Sequence, residues 1–525
     1  MANKDLFKSA APSRTAPAVD TVNNAGGTAY SLPAEAALAQ FACTGTFSDT
    51  FYVQADAQLE QVKKLAEKVS PEFLARLAVY SRESAFMKDM SAFLLAVLMT
   101  RDINLFKQVF NRVVDNGKML RNFVQIVRSG QVGRKSFGSA PKKMIRQWLE
   151  TRQDHRLFDD SVGNEPSLKD VIKMVHPKPS NDTREALYAY LIDKEVKNPG
   201  ALPEVVRSFE AFKKAQKGNR TIPTVNFQML TALDLSEKEW IEVSKNLNWH
   251  ALRMNLNTLE RHGVLKDSKI VESIAGRLRD EKAVRNSKVF PYQLFTAYLN
   301  MDDKVPSKIT NALQDAMEVA TRNVPKIKGD IIVAVDCSGS MNSPVTGVRG
   351  TVSSKTTCKQ VASLIAASIL RNSDNVDVLR FTTTSERVKL NSRDSVITNA
   401  QKIGNVDGGT AISSPMIQLN AENAKADLIV IVSDNESWAD RNDGYFNHGQ
   451  GTSLMKEWLK FKARNPKAKL VCIDLAPNAH TQAQSAVDRL NVGGASDAIF
   501  SVISAFVENT SGNDFWVEKI SKVIL

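Results

Sequence analysis

The chain has 525 residues, 43% hydrophobic and 24% charged, with a net charge of +12. That length exceeds one ordinary core and predicts two or three domains, with a composition ordinary for soluble globular protein. The longest apolar runs, such as Ser91–Thr100, are half the ~20 residues a membrane helix needs, and the first 30 residues hold no apolar signal core, so neither membrane insertion nor secretion is expected.

Residues 1–22 are rich in Ala, Ser, Thr, Pro and Asn and read as a mobile tail. From Leu59 to Thr321 the apolar spacing is helical: Leu59, Val62, Leu65 and Val69, then Phe73, Leu77 and Tyr80, then Phe106, Val109, Phe110 and Val113. Breakers separate the stretches at Ser70-Pro71, Asn116-Gly117, Gly163, Pro177 with Pro179, and Pro199-Gly200. Successive short amphipathic helices of this kind stack as helical pairs in a HEAT-like solenoid, although no crisp sequence period is visible.

The pattern changes after Lys326. Asp330–Val335, Val376–Phe381, Asp427–Ser433, Leu470–Leu475 and Ala498–Ile503 read as strands, with Arg387–Leu390 as an edge neighbour. Lys355–Arg371 and Asn513–Ile524 read as helices. Apolar strands alternating with helices predict a doubly wound α/β sheet, whose binding sites lie at the carboxyl ends of the strands. The expected organisation is therefore multi-domain: a tail to 22, a helical-repeat half over 23–326, and an α/β domain over 327–525.

The four cysteines, Cys43, Cys337, Cys358 and Cys472, have no CxxC or zinc spacing and read as buried free thiols of a reducing cytoplasm. The charge is uneven. Residues 1–330 carry 49 Lys and Arg against 38 Asp and Glu, whereas 331–525 carry 20 against 19. The excess peaks in 101–150, where 11 basic residues face Asp102, Asp115 and Glu150. Such a patch suits phosphate backbones, though a merely solvated surface has the same composition.

The sharpest motif is Asp336-Cys337-Ser338-Gly339-Ser340, directly after a buried strand. It puts one carboxylate and two hydroxyls on a tight loop that Gly339 allows to turn. Thr410 follows Gly408-Gly409 on a second loop, and Asp434 stands just past the strand ending at Ser433. These are all oxygen donors, the set a hard cation such as Mg²⁺ prefers. The bland alternative is helix capping by Asp336 and the serines. The constellation resembles the metal-ion-dependent adhesion site of von Willebrand A domains. The resemblance implies that Ser338, Ser340 and Thr410 reach the ion directly or through water. It implies too that Asp336 and Asp434 neutralise the ion, and that one position stays open for an acidic group of a partner.

Further blocks narrow the reading. Asn24-Ala25-Gly26-Gly27 precedes Phe41-x-Cys43-x-Gly45-x-x-x-x-Thr50-Phe51-Tyr52. Arg134–Trp148, Val175–Ser180 and Asn246–Arg261 follow in order. In this order, ahead of a von Willebrand A domain, they resemble the bacterial members of the Ro autoantigen (TROVE-domain) family. That resemblance implies a HEAT-like helical ring closed by the von Willebrand A domain. It implies structured Y-like RNA on the outer basic surface, single-stranded 3′ ends of misfolded RNA in the central hole, and the 3′ exonuclease polynucleotide phosphorylase tethered through the RNA. It points to Lys143, Arg146 and His176 as RNA contacts, with Lys142, Lys173 and Lys178 beside them.

No HExxH, P-loop or GxSxG is present among or around the six histidines, so no catalysis is expected. The expected protein is a cytoplasmic, monomeric RNA scaffold. The competing reading is a protein–protein adaptor that captures an acidic residue at the metal site; the charge asymmetry disfavours it.

Overall fold

The computed structural model describes residues 15–45, 47–287, 289, 291–348, 355–440, 451–494, 498–508 and 515–525. Residues 1–14 of the expected tail, His448 and the start of the expected Asn513–Ile524 helix lie outside the described residues. The chain forms two compact units. One comprises Met1–Lys68, Val289–Leu299 and Met317–Lys519, and the other Val69–Lys288, Asn300–Ala316 and Ile520–Leu525.

The second unit is built of helices. Pro71–Glu83, Asp89–Arg101, Ile103–Val113 and Gly117–Ser129 follow one another and pack together. Several breakers read from sequence act as caps. Ser70 accepts from the Phe73 amide ahead of Pro71, and Asn116 accepts from Met119. The apolar stripes meet in an aromatic cluster, with Phe106 and Phe110 5.4 Å apart and Phe123 5.8 Å from Phe106.

The first unit carries a six-stranded sheet. Its order is Ser385–Arg387, Asn375–Phe381, Asp330–Asp336, Leu428–Ser433, Lys469–Asp474 and Arg489–Gly493. All neighbours are parallel except Ser385–Arg387, which runs antiparallel. The chain's direction of winding reverses between Asp330–Asp336 and Leu428–Ser433, the crevice where doubly wound sheets bind ligands. Ile332, Ala334, Ile429, Ile431, Leu470 and Cys472 share a core with Met455, Trp458 and Phe461 of the helix Ser453–Arg464. All four cysteines are buried and free.

Three expectations change. Ala498–Ile503 belongs to a helix, Ala498–Val507, and the outer strand is Arg489–Gly493. A short, unbroken apolar run has no period to separate a buried strand from a buried helix, and this one extends to ten residues. Residues 15–22, expected in the tail, are built in: Ala16 is buried and Thr21–Val22 pairs with Thr28–Ser31. Residues through Lys68 fall in the unit of the sheet, where Tyr30 pairs with Thr481 and its hydroxyl donates to Pro17. The reason is local: the hairpin's buried Ala29 and Tyr30 find apolar partners against the sheet's flank.

Ile431 is fully buried on the central strand. Ile431→Ala should lower the stability of this unit by about 2–5 kcal/mol through the cavity it leaves. The shift of the urea midpoint checks this, and an unchanged midpoint would place Ile431 outside the core.

Candidate metal centre and nucleic-acid interface

Parallel pairing aligns Asp336 with the end of the neighbouring strand, where the Ser433 hydroxyl donates to Asp336 Oδ2 at 2.6 Å. Asp336 Oδ1 accepts from the Ser338 amide at 2.8 Å, which folds the DxSxS loop back over the strand end. Ser338 and Ser340 hydroxyl oxygens lie 3.2 Å apart. The Gly339 amide donates to Gly408 O at 2.9 Å, tying this loop to the Thr410 loop. A methyl at Gly339 would meet only ordinary contact, so its amide, not its missing side chain, performs this link. At Gly409, by contrast, a methyl would lie 2.8 Å from the Trp438 ring. Thr410 O in turn accepts from the Trp438 and Ala439 amides, just past Asp434. The three sequence pieces therefore converge, with Asp336, Ser338, Ser340, Thr410 and Asp434 all buried.

Asp474, at the end of the next parallel strand, adds a third buried carboxyl beside Ser433. Glu436 adds a fourth, fully buried. Burial, then the Asp336 charge, pushes the Asp434 carboxyl up to about 7. Burial raises Asp336 also, against hydrogen bonds from Ser433 and Ser338 and the Lys359 charge. Burial, then the charges of Glu436 and Asp434, holds Asp474 well above the carboxylate range. Its Oδ2 is buried and accepts no hydrogen bond from the described residues. An edge that crowds four buried carboxyls beside two adjacent hydroxyls fits a hard divalent cation held by oxygen. Among the described residues no three His, Cys, Asp or Glu side chains form a metal-binding group, so the hydroxyls are needed in any such set.

The basic patch lies in the helical unit. The helix Ser139–Thr151 buries Pro141, Ile145, Trp148 and Leu149, leaving Lys143 and Arg146 exposed and Lys142 half-buried. Trp148 is a core residue: its ring N–H donates to Val114 O at 2.7 Å. The helix Leu168–Val175 starts in a capping box of Ser167 and Asp170 and ends at His176, whose φ of 49° turns the chain out through Pro177. Arg146 Nε donates to Val175 O, so the two helices bring Lys142, Lys143 and Arg146 to the turn bearing Lys173, His176 and Lys178. Among the described residues none of these five Lys and Arg side chains makes an ion pair. Nearby cations do: Arg152 with Asp160 at 2.7 Å, and Arg82 with Asp115 at 2.7 Å. Arg184 is different in kind. It is buried and donates to Leu149 O and Arg152 O, pinning the end of the Ser139–Thr151 helix.

Two family models match the chain, the Ro60 vWA domain over 330–507 and the TROVE domain over 238–394. The RNA-binding protein RO60 of Deinococcus radiodurans is 24% identical over 527 aligned positions, covering 92% of this chain and 94% of that protein. Both family models and this relative are of the Ro60 kind, and the chain is similar to them over most of its length. The Caenorhabditis elegans RNA-binding protein RO60 matches at 28% identity over 200 residues, 36% of this chain and 30% of that protein. The fold agrees with the crystal structure of the Deinococcus radiodurans RO (RSR) protein at a TM-score of 0.62 and 20% identity, covering 91% of this chain and 100% of that one.

Sequence reasoning singled out the five residues Asp336, Ser338, Ser340, Thr410 and Asp434 of this candidate centre and passed over Asp474, Glu436 and Tyr52. Asp474 had a signal: LVCID ends an apolar strand in Asp as DIIVAVD does. Tyr52 had none of its own, since its place beside Ser340 is set by folding across nearly three hundred residues.

The raised carboxyls give a pH test. An unfolded Asp ionises near 4, whereas Asp434 in the fold holds its proton to about 7. The metal-free fold should therefore lose stability as pH rises between those values, because only the unfolded state releases the proton easily. Mg²⁺ should raise the melting temperature more at pH 8 than at pH 5, and Asp434→Asn should flatten both trends. An equal Mg²⁺ shift at both pH values would count against the site.

Proposed function

We propose that this chain is a non-catalytic RNA-binding scaffold of ribonucleoprotein particles. It holds a structured, Y-like small non-coding RNA on the basic face of its helical half and accepts single-stranded 3′ ends of misfolded RNA for quality control or decay. Polynucleotide phosphorylase is then tethered through that RNA, and Mg²⁺ occupies the site at the sheet edge. In this reading the protein works in the cytoplasm as a monomer.

The observation that carries the reading is the cluster of cations without carboxylate partners where the helix Ser139–Thr151 meets the end of Leu168–Val175. Elsewhere on the helical unit a number of Arg and Lys side chains are neutralised, among them Arg112 by Glu83 at 2.7 Å and Lys308 by Glu272 at 2.8 Å. Lone cations on a helix face repel one another, and a phosphate backbone relieves that repulsion while releasing counterions. Arg146 spends Nε on Val175 O, which fixes its guanidinium with both terminal nitrogens free to fork onto a phosphate. The names of the relatives, RNA-binding protein RO60, support the same reading.

The engagement of the polar groups at the sheet edge supports the non-catalytic part of the reading. Asp336 has both oxygens occupied by Ser338 and Ser433. His480 is buried with Nε2 facing Glu436 at 3.2 Å. Neither group is left as a poised general base.

Replacing Lys142, Lys143, Arg146 and His176 together by Ala should weaken binding of a structured small RNA and flatten its salt dependence. The slope of log K against log salt should fall by roughly 0.7–0.9 for each phosphate no longer neutralised. Asp336→Ala should leave RNA binding intact. The reverse outcome, an unchanged slope in the fourfold variant with RNA binding abolished in Asp336→Ala, would move the RNA to the metal site. A chain that binds no RNA but retains a protein partner only with Mg²⁺ would favour the adaptor reading.

A further inference from the structure

The metal-site face is covered by the chain itself. Two short pieces of the N-terminal segment reach it. The first is the turn Asn23–Gly27. Asn23 Oδ1 accepts from the Gly27 amide at 2.6 Å while its Nδ2 donates to Ser437 O at 2.8 Å. Asn24 Nδ2 donates to Glu436 Oε1 at 2.6 Å and the Ala25 amide to Glu436 Oε2 at 3.1 Å. Asn478 and His480 approach the same Glu436 Oε1, at 3.0 and 3.2 Å. A methyl at Gly27 would lie 2.0 Å from Ser437 O, so the turn sits flush on the loop that begins at Asp434. The second piece is held by a backbone bridge between Asp49 and Val348 and by Gln58 Nε2 donating to Ser48 O at 2.7 Å. Its turn Thr50–Val53, closed by the Thr50 amide on Val53 O at 2.9 Å, presents Phe51 and Tyr52.

Tyr52 lines one cavity with Ser340, Asp434, Glu436 and Asn24. It faces Ser340 across that cavity, and burial together with the charges of Asp434 and Glu436 pushes the phenol up to about 12. A neutral phenol is a donor and an acceptor in one group. It can donate a hydrogen bond to a buried carboxylate when no ion is present, or order the shell around an ion that is.

We propose that Tyr52 is a chain-supplied member of the metal site, and that the ion acts as an intramolecular clasp joining the N-terminal segment 23–53 to the loops of Ser340 and Asp434. An adhesion-type site leaves its outward position to a partner's carboxylate. Here the phenol closes that side, so the ion stabilises the fold of this unit and free carboxylates reach it poorly. The proposal rests on the reading of Asp336, Ser338, Ser340, Thr410 and Asp434 as a divalent-cation site. It explains why the opening motif of the chain lies on the same face as residues three to four hundred positions later.

The test uses the full chain with Mn²⁺ as probe. Free Mn²⁺ by electron paramagnetic resonance gives affinity, water-proton relaxation gives solvent access to the bound ion, and acetate serves as the competing carboxylate. The wild type should bind Mn²⁺ with low relaxation enhancement and no response to acetate. Tyr52→Phe keeps the ring packing; it should weaken Mn²⁺ binding about tenfold, the lower end of what loss of a supporting shell group costs. It should also raise the relaxation enhancement and make it fall on adding acetate. Backbone hydrogen exchange in 47–54 should slow with Mn²⁺ in the wild type and respond less in Tyr52→Phe. If Tyr52→Phe matches the wild type in all three readouts while Asp434→Asn abolishes Mn²⁺ binding, the metal site stands and the clasp falls. If the wild type binds no more Mn²⁺ than Asp434→Asn, the metal reading itself fails and takes the clasp with it.

Discussion

Parallel pairing brings the carboxyl ends of neighbouring strands to one edge of a sheet, and in this chain those ends carry buried acid. Asp336 ends one strand, Asp434 follows the next, and Asp474 ends the third, with Glu436 two residues further along the middle loop. Like charges in a low-dielectric setting repel strongly, and each must be hydrogen-bonded, neutralised or protonated. The surrounding structure supplies all three remedies. Ser433 and the Ser338 amide saturate Asp336. Lys359, itself buried, is held by Asp407 and Val406 O with its charge felt at Asp336. Burial and the neighbouring charges shift the carboxyls of Asp434 and Asp474 toward the protonated form.

The same constraint explains the reach of the N-terminal segment. Glu436 is fully buried and would be a costly anion alone; Asn24, Ala25 and Asn478 donate to it. The segment therefore gains polar partners at the sheet edge as well as apolar ones through Ala16 and Tyr30. Burial of acid and docking of the turn Asn23–Gly27 are two sides of one arrangement.

The helical unit handles charge differently. Some of its cations, such as Arg112 and Lys308, are paired at the surface, where each pair contributes little to stability. Among the described residues Lys143, Arg146 and Lys178 make no ion pair; all three are exposed, and the Val175 carbonyl at a helix end holds Arg146. One unit thus concentrates negative charge in its interior, while the other leaves positive charge on its face.

The sequence by itself determined the elements and the local chemistry. Helical spacing, the caps at Ser70 and Asn116, the strand runs and the DxSxS loop are all set by neighbours a few residues apart, so they were readable from Leu59 onward. Thr410 and Asp434 were legible because a parallel sheet puts every strand end on one edge, whatever the detailed packing. The basic patch was legible as composition, but composition treats Arg184 and Arg146 alike. Only tertiary structure buried the first against Leu149 and Arg152 carbonyls and left the second exposed on Val175. Tertiary structure also made Ala498–Val507 a helix and placed Asn24 on Glu436 and Tyr52 beside Ser340. The reason is range: periodicity and capping report on a residue's own turn or strand, whereas burial and charge compensation depend on which distant segments the fold brings into contact.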